Sequence, residues 1–338
     1  MKTIAIIGGG IAGLTATTEL KELGYDVILI EKQQQLGGHL NQWDRLFPNF
    51  RPAAEVLNHL KSNLESIKIL IGKTVKQIAK TGSKYTLELI DNTSLTADAV
   101  LIATGFDLFD ANRKEEYGYG IFDNVITSPA LEQIFKENKP IVTTDHKVPR
   151  RIGIIHCVGS RDEKVGNTYC SKVCCVTAVK QAIEIKEKLG STEVYCFYMD
   201  LRMFDLHFEN LYRIAQEKHG IQFIRGRLSE ANENIDGSLL IKFEDTLTGR
   251  PAKLTVDLLV LMVGIVASSE TKRLANMLNI KINEHGFFQP DDAHLASGES
   301  QLKGVFFTGT ATSPKTIEHT VADARSTALE IHRFLKSK

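Results

Sequence analysis

An apolar run from Lys2 to Ile7 leads into a glycine cluster and then into helical apolar spacing at Ile11, Leu14, Leu20 and Leu23, which stops at Gly24. A second apolar run, Asp26 to Glu31, follows. Strand, turn, helix and strand within about 30 residues make one parallel crossover unit. Residues 8–13 read GGGIAG, so Gly8, Gly10 and Gly13 form G-x-G-x-x-G at the strand-to-helix turn. In that motif the first glycine permits the tight turn, the second lets backbone approach a pyrophosphate, and the third lets the helix pack closely on the sheet. Free N–H groups at the helix start, near Ile11 and Ala12, and the positive end of the helix dipole suit phosphates. Glu31 closes the second strand, with Lys32 beside it. An acid at this place accepts from ribose hydroxyls and disfavours a 2′-phosphate. A purely structural glycine turn would not need it.

Three further features point to FAD rather than to a nicotinamide nucleotide. Gly37 and Gly38 follow the second strand, where a chain can wrap the pyrophosphate again. Val100 to Phe106 reads VLIATGF, a strand ending in Ala103-Thr104-Gly105 that resembles the return segment of FAD- and NAD-binding domains in two-dinucleotide flavoproteins. Gly304 to Ile317 reads GVFFTGTATSPKTI, which resembles the C-terminal flavin motif of two-dinucleotide flavoproteins, a strand ending in glycine before a helix whose start would face the flavin ring. Gly309, Thr310, Pro314, Lys315 and Ile317 are its candidate flavin contacts, and Val75, at the start of an intervening strand, joins them. Lys315 is the candidate catalytic residue, placed to stabilise a reduced, anionic flavin; a solvated lysine is the plain alternative. Trp43, Phe47 and Pro48 are expected to serve core packing more than the flavin.

A second run of alternating elements begins at Arg151, with a strand to His156, a helix from Ser171 to Leu189 and a strand from Glu193 to Tyr198. Antiparallel strands follow to about residue 255, and a last strand and helix close the chain. The fold class expected is α/β, with two Rossmann-like dinucleotide-binding domains, each a parallel sheet plus a small antiparallel sheet, and the second inserted in the first. The boundaries expected are 1–112 and 270–338 for the FAD-binding domain and 113–269 for the insert. The 41 Lys and Arg balance 41 Asp and Glu, so no basic excess draws the chain to nucleic acid or to anionic membrane. The longest apolar stretch, Leu258 to Ala267, is too short to span a bilayer, which takes about 20 residues. The cytoplasm is the expected compartment.

The second strand–helix unit lacks the glycines of the first. Its strand runs into CVGSRDE, where only Gly159 remains, so ordinary pyridine-nucleotide binding is not expected there. Four of the chain's five cysteines replace it: Cys157, Cys170, Cys174 and Cys175. Thiolates are the usual protein ligands of iron–sulfur clusters, and four could equally hold zinc. Clustered cysteines at a strand end and a helix start form a cup, with the helix dipole favouring a negatively charged centre. A redox dithiol and plain core cysteines are the other readings. Cys196 lies in an apolar strand and is expected in the core, as is a hydrogen-bonded His156. Arg161 and Asp162 are placed to donate to a cluster or to bridge the loop.

The stretches CVGSRDE and YCSKVCCVTAVK resemble the flavin subunit of heterodisulfide reductases and its short homologues in bacterial sulfur-oxidising complexes. GTATSPKTI is similar to that family's G-P-K-D-I-type segment, with Thr316 replacing the acid. The resemblance implies a thioredoxin-reductase-type fold with FAD, and a 4Fe–4S cluster on Cys157, Cys170, Cys174 and Cys175. It also implies a homodimer, and partner subunits of a heterodisulfide reductase-like complex or an electron carrier. The chain has none of the family's ferredoxin-type cysteine segments, so full electron bifurcation is not implied. The function expected is an FAD- and iron–sulfur-containing electron-transfer oxidoreductase subunit. The rivals are an FAD-dependent disulfide reductase using a cysteine pair, and a structural FAD-binding subunit without turnover.

Overall fold

The computed structural model describes residues 1–337. Among them are seven α-helices: α1 (Ile11–Glu22), α2 (Ala53–Lys61), α3 (Ser128–Lys136), α4 (Cys174–Lys188), α5 (Phe208–Glu217), α6 (Ser269–Leu278) and α7 (Ile317–Lys336). None is long and apolar enough to cross a membrane. The chain divides into two compact units, one of residues 1–41, 54–107 and 266–338, the other of 42–53 and 108–265.

The first unit is built on a five-stranded sheet in the order Val305–Phe307, Ala99–Ile102, Thr3–Ile7, Asp26–Glu31, Lys68–Ile71. Every neighbouring pair is parallel. Its central strands are buried on both faces, which is why they read as unbroken apolar runs. A three-stranded antiparallel sheet, Val75–Thr81, Lys84–Leu89 and Ser94–Ala97, contributes Tyr85, Leu87 and Leu89 to the same core.

The second unit repeats the plan. Its parallel sheet runs Val125–Thr127, Leu258–Val263, Arg151–Val158, Glu193–Tyr198, Gln222–Arg225. An antiparallel sheet of Leu228–Glu233, Leu239–Asp245 and Arg250–Val256 accompanies it. Both parallel sheets reverse their winding at the first-unit strand Thr3–Ile7 and the second-unit strand Arg151–Val158, the places where doubly wound folds bind ligands.

Three expectations are corrected. Residues 42–53, expected in the first domain, belong by their packing to the second unit. Phe47 meets Phe208 edge-on at 5.5 Å, and Phe47 and Phe50 pack on the second core. The Asp44 amide donates to Glu132 and the buried Lys180 ammonium to the Arg45 carbonyl. α4 begins at Cys174 rather than Ser171, because Lys172 takes a left-handed backbone (φ 62) that a helix cannot contain. α3 and α6 lie where no helix is expected.

Candidate cofactor and cysteine sites

In the first unit the two glycine clusters fold onto each other. The Gly8 amide donates to Ile30 and the Gly37 amide to Gly9, both at 2.8 Å. A Cβ on Gly13 would lie 1.8 Å from the Gly8 carbonyl oxygen, so the helix reaches the turn only because that atom is missing. Gly10 differs: a Cβ there would meet nothing within 4 Å, while Gly38 stands close by, 3.4 Å from Gly10 Cα to where its own Cβ would be. Gly10 also starts α1 with no side-chain cap and no acid in the first turn. The first amides of α1, at Ile11, Ala12 and Gly13, therefore keep their capacity for an anion.

Glu31 is buried, with Oε2 accepting from the Gly9 amide at 2.6 Å and Oε1 from the Gln33 amide at 2.7 Å. Those bonds fix the carboxylate at the turn and leave it further lone pairs. Lys32 is exposed. Ala103 carries the carbonyl that Gly8 must avoid, and Gly105 turns the chain at φ 71. Between them Thr104 has a buried hydroxyl with no partner, as expected of a group awaiting a polar ligand. Val75 is a core residue whose carbonyl is taken by Arg273 at 2.7 Å.

The Gly309–Ala311 turn packs on α1: a Cβ at Gly309 would fall 2.7 Å from Cβ of Ala12. Thr310 is buried in this turn, Pro314 is buried after it, and Ile317 opens α7 under the cap of Thr316, which accepts from the His319 amide. Lys315 folds back, its ammonium donating to the Gly309 carbonyl at 2.9 Å and to the Thr312 hydroxyl, 3.5 Å from Asp323. Asp323, not anticipated from the sequence, also accepts from the Gly309 amide at 2.6 Å. Its only sequence signal is its place two turns into α7. An open glycine cradle, an uncapped helix start, an acid at the strand end and an orphan hydroxyl together fit the ADP half of FAD.

The second site gathers the four cysteines, all free thiols. Cys157 sits at a break in register between Ile155 and Val158, with a left-handed backbone (φ 59) that re-aims its side chain. Cys174 and Cys175 are the first two residues of α4, whose start has no side-chain cap and no acid. Cys170 lies in the loop before it, not in the helix, and is the most exposed of the four. Ser171, buried, accepts from the Ile265 amide at 2.8 Å and anchors this loop.

Burial, with the mutual charge of Cys175 and Cys170, pushes the Cys157 thiol up to about 12. Burial, then Cys157, Cys175 and Cys170, puts Cys174 well above the ordinary thiol value. Cys175 is raised by burial despite the Arg202 amide. Four thiols thus share one electrostatic neighbourhood in which thiolates repel unless a cationic centre offsets them. Donors already face the sulfurs. The Lys172 amide points at Cys170 Sγ (3.3 Å) and the Arg202 amide at Cys175 Sγ (3.5 Å), while the Arg161 guanidinium, paired with Asp200 at 2.6 Å, works against the rise of the Cys157 thiol. Among the described residues, no three His, Cys, Asp or Glu side chains close on a single-ion site. Thiol sulfurs with backbone amides directed at two of them are the donor types that thiolate-bound clusters use.

Asp162 takes no part in this. It is buried and accepts from Lys114 (2.7 Å) and Arg227 (2.8 Å). His156 is buried, but neither ring nitrogen has a partner, contrary to the hydrogen-bonded core histidine expected; burial lowers its pKa to about 4. Cys196 is fully buried in the core, as read from its strand. Gly159, the last trace of a nucleotide turn, lies under the Phe109 ring: a Cβ there would fall 2.0 Å from it. The glycine serves packing by the chain itself, not approach by a pyrophosphate.

Residues 2–326 match the family profile of pyridine nucleotide-disulphide oxidoreductases. The chain is 32% identical to the iron-sulfur subunit of the CoB--CoM heterodisulfide reductase of Methanocaldococcus jannaschii, over 97% of this chain and 63% of that one. It is 29% identical to the corresponding subunit of the H(2):CoB-CoM heterodisulfide,ferredoxin reductase of Methanothermobacter thermautotrophicus, over 96% of this chain and 62% of the relative. It thus spans under two thirds of these relatives' length. In structure it is similar to the thioredoxin reductase of Lactococcus lactis, with TM-score 0.70 and 19% identity over the whole of both chains. The chain belongs to the pyridine nucleotide-disulphide oxidoreductase family.

Proposed function

We propose that this chain is an electron-transfer subunit of a heterodisulfide reductase-like complex, holding FAD in its first unit and a 4Fe–4S cluster on Cys157, Cys170, Cys174 and Cys175. The observation that carries the reading is the replacement of a second nucleotide turn by four mutually interacting thiols with backbone amides aimed at their sulfurs. FAD supplies exchange of electrons in pairs or singly, and a cluster exchanges them singly. Gly8, Gly10, Gly13, Gly37 and Gly38 would hold the pyrophosphate turn open, Glu31 the ribose, and Ala103 to Gly105 and the Gly309 turn the rest of the flavin. Lys315, fixed by Gly309 and Asp323, would bring a positive charge to the flavin site. The Lys172 and Arg202 amides would stabilise thiolate charge, as hydrogen bonds to cluster sulfurs do.

The test is iron and acid-labile sulfide analysis of anaerobically purified protein, with a visible spectrum. About four irons per chain are expected, as a thiolate-ligated cubane implies. Iron-free protein whose flavin is rapidly bleached by NADPH would overturn the cluster and favour a disulfide reductase. Metal without visible absorbance beyond the flavin would indicate zinc.

A further inference from the structure

Buried polar atoms without a partner are few in a folded chain, and each needs an account. Here they gather beside Cys157. Neither ring nitrogen of His156 is bonded, the Ser160 hydroxyl has no partner, and Arg161 buries one guanidinium nitrogen, Nη1, without one. His156 is 6% and Ser160 0% exposed. Arg161 pairs with Asp200 through its other terminal nitrogen, Nη2.

The backbone brings these groups together. In a regular strand successive side chains face opposite sides. Left-handed backbone at Cys157 (φ 59) and Arg161 (φ 53), with Gly159 between them (φ 74), breaks that alternation. His156 and Cys157 consequently line one small cavity, with Tyr117, Met199 and Arg227. Ser160 closes the turn, its amide donating to the Cys157 carbonyl at 3.2 Å. A Cβ on Gly264 would lie 2.9 Å from both Ser160 Cβ and Ser171 Oγ, so Ser160 stands against the loop that carries Cys170 and leads to Cys174. The turn is also clamped. The Arg161 amide donates to Tyr169 at 2.9 Å, Asp162 and Asn167 exchange amide hydrogen bonds at 2.8 and 3.1 Å, and the Asn167 side chain donates to the Gly159 carbonyl at 2.9 Å. Left-handed residues other than glycine are uncommon, and folded chains keep such strain at functional sites.

We propose that His156, Ser160 and Arg161 are hydrogen-bond donors to the sulfurs of the centre held by Cys157, Cys170, Cys174 and Cys175, and that they set its reduction potential. The inference rests on the cluster reading above. A neutral imidazole, a hydroxyl and a guanidinium each offer an N–H or O–H. Reduction adds one negative charge to such a centre, and a donor aimed at sulfur stabilises the more negative state. The three side chains therefore raise the potential.

The test is an EPR-monitored redox titration of anaerobically purified protein, with iron and flavin counted per chain. Ser160→Ala and His156→Leu should each keep both cofactors and make one-electron reduction about tenfold harder, a fall of about 59 mV. His156→Gln, which keeps a donor, should stay close to the wild type. In protein freed of iron by a chelator, Ser160→Ala should be at least as stable in urea as the wild type, since it removes a buried group that lacks a partner there. A side chain that serves packing alone gives the reverse pair, a weaker iron-free protein and an unchanged potential, and that result overturns the proposal. Wild-type potentials in iron-loaded Ser160→Ala and His156→Leu overturn the donors and leave the cluster in place. Iron-free wild type overturns the cluster reading and this inference with it. If His156→Leu does not load iron, Ser160→Ala decides alone: a lowered potential upholds the donors and an unchanged one overturns them.

Discussion

Two glycines of one motif fail differently when a side chain is added. Gly13→Ala places a methyl against the Gly8 carbonyl and must move the turn or the helix. At Gly10 the added atoms enter open space. Gly10→Val is therefore expected to fold and to purify without flavin, because its side chain fills the room the pyrophosphate needs; yellow protein at full stoichiometry would count against the site. Glu31→Gln should act more mildly, weakening flavin retention by about 1–3 kcal/mol for one charged acceptor, read by equilibrium dialysis. Both positions were legible because motif spacing reports backbone geometry. Asp323 was not, since its role depends on where the Gly309 turn and α7 meet in space. His156 misled for a similar reason: adjacency to Cys157 says nothing of what its ring nitrogens find.

At the scale of elements, the strands were legible from apolar runs, whereas α3 and α6 were missed although the sequence signals them. Thr127-Ser128-Pro129 puts proline in a first helical turn, and Ser268 caps α6 by accepting from the Glu270 amide. Both helices are short and lie beside irregular chain, where periodicity is weak. α4 holds a feature that periodicity cannot show. Lys180 is buried between Glu132 of α3 and Glu184, which lies 2.8 Å away without hydrogen-bond alignment. Burial outweighs Lys180 and raises Glu184 from 4.5 to about 7. Between those values the folded protein keeps a proton that the unfolded chain has lost, so stability falls as pH rises through this window and stays lower above it. Glu184→Gln leaves the Lys180–Glu132 pair in place. It should remove that slope and raise stability at pH 8 by up to about 3 kcal/mol. Urea unfolding at pH 5 and pH 8 tests this, and a glutamine variant that is weaker at pH 8 refutes it.

On the scale of the molecule, one architecture occurs twice with different contents. Both units carry a parallel sheet of the same winding and an antiparallel companion, so the repeat seen loosely in the sequence is a repeat of topology. The difference is chemical: an open glycine in the first unit, and a glycine capped by Phe109 beside four thiols in the second. The segment 42–53 escaped the sequence reading because its allegiance is set by Phe47, Phe50 and a buried lysine far along the chain. If the contents are independent, the cofactors must be separable by mutation. Gly10→Val should lose flavin and keep iron, while Cys175→Ser, which removes one sulfur from a site in the other unit, should lose iron and keep flavin. NADPH should bind neither variant, since the Gly159 turn, where a second nucleotide motif would stand, is closed by the Phe109 ring. Flavin and iron counted per chain in each variant decide the matter. Loss of both cofactors in either variant would show that each unit needs the other's occupant, and would replace two independent sites by one cooperative assembly.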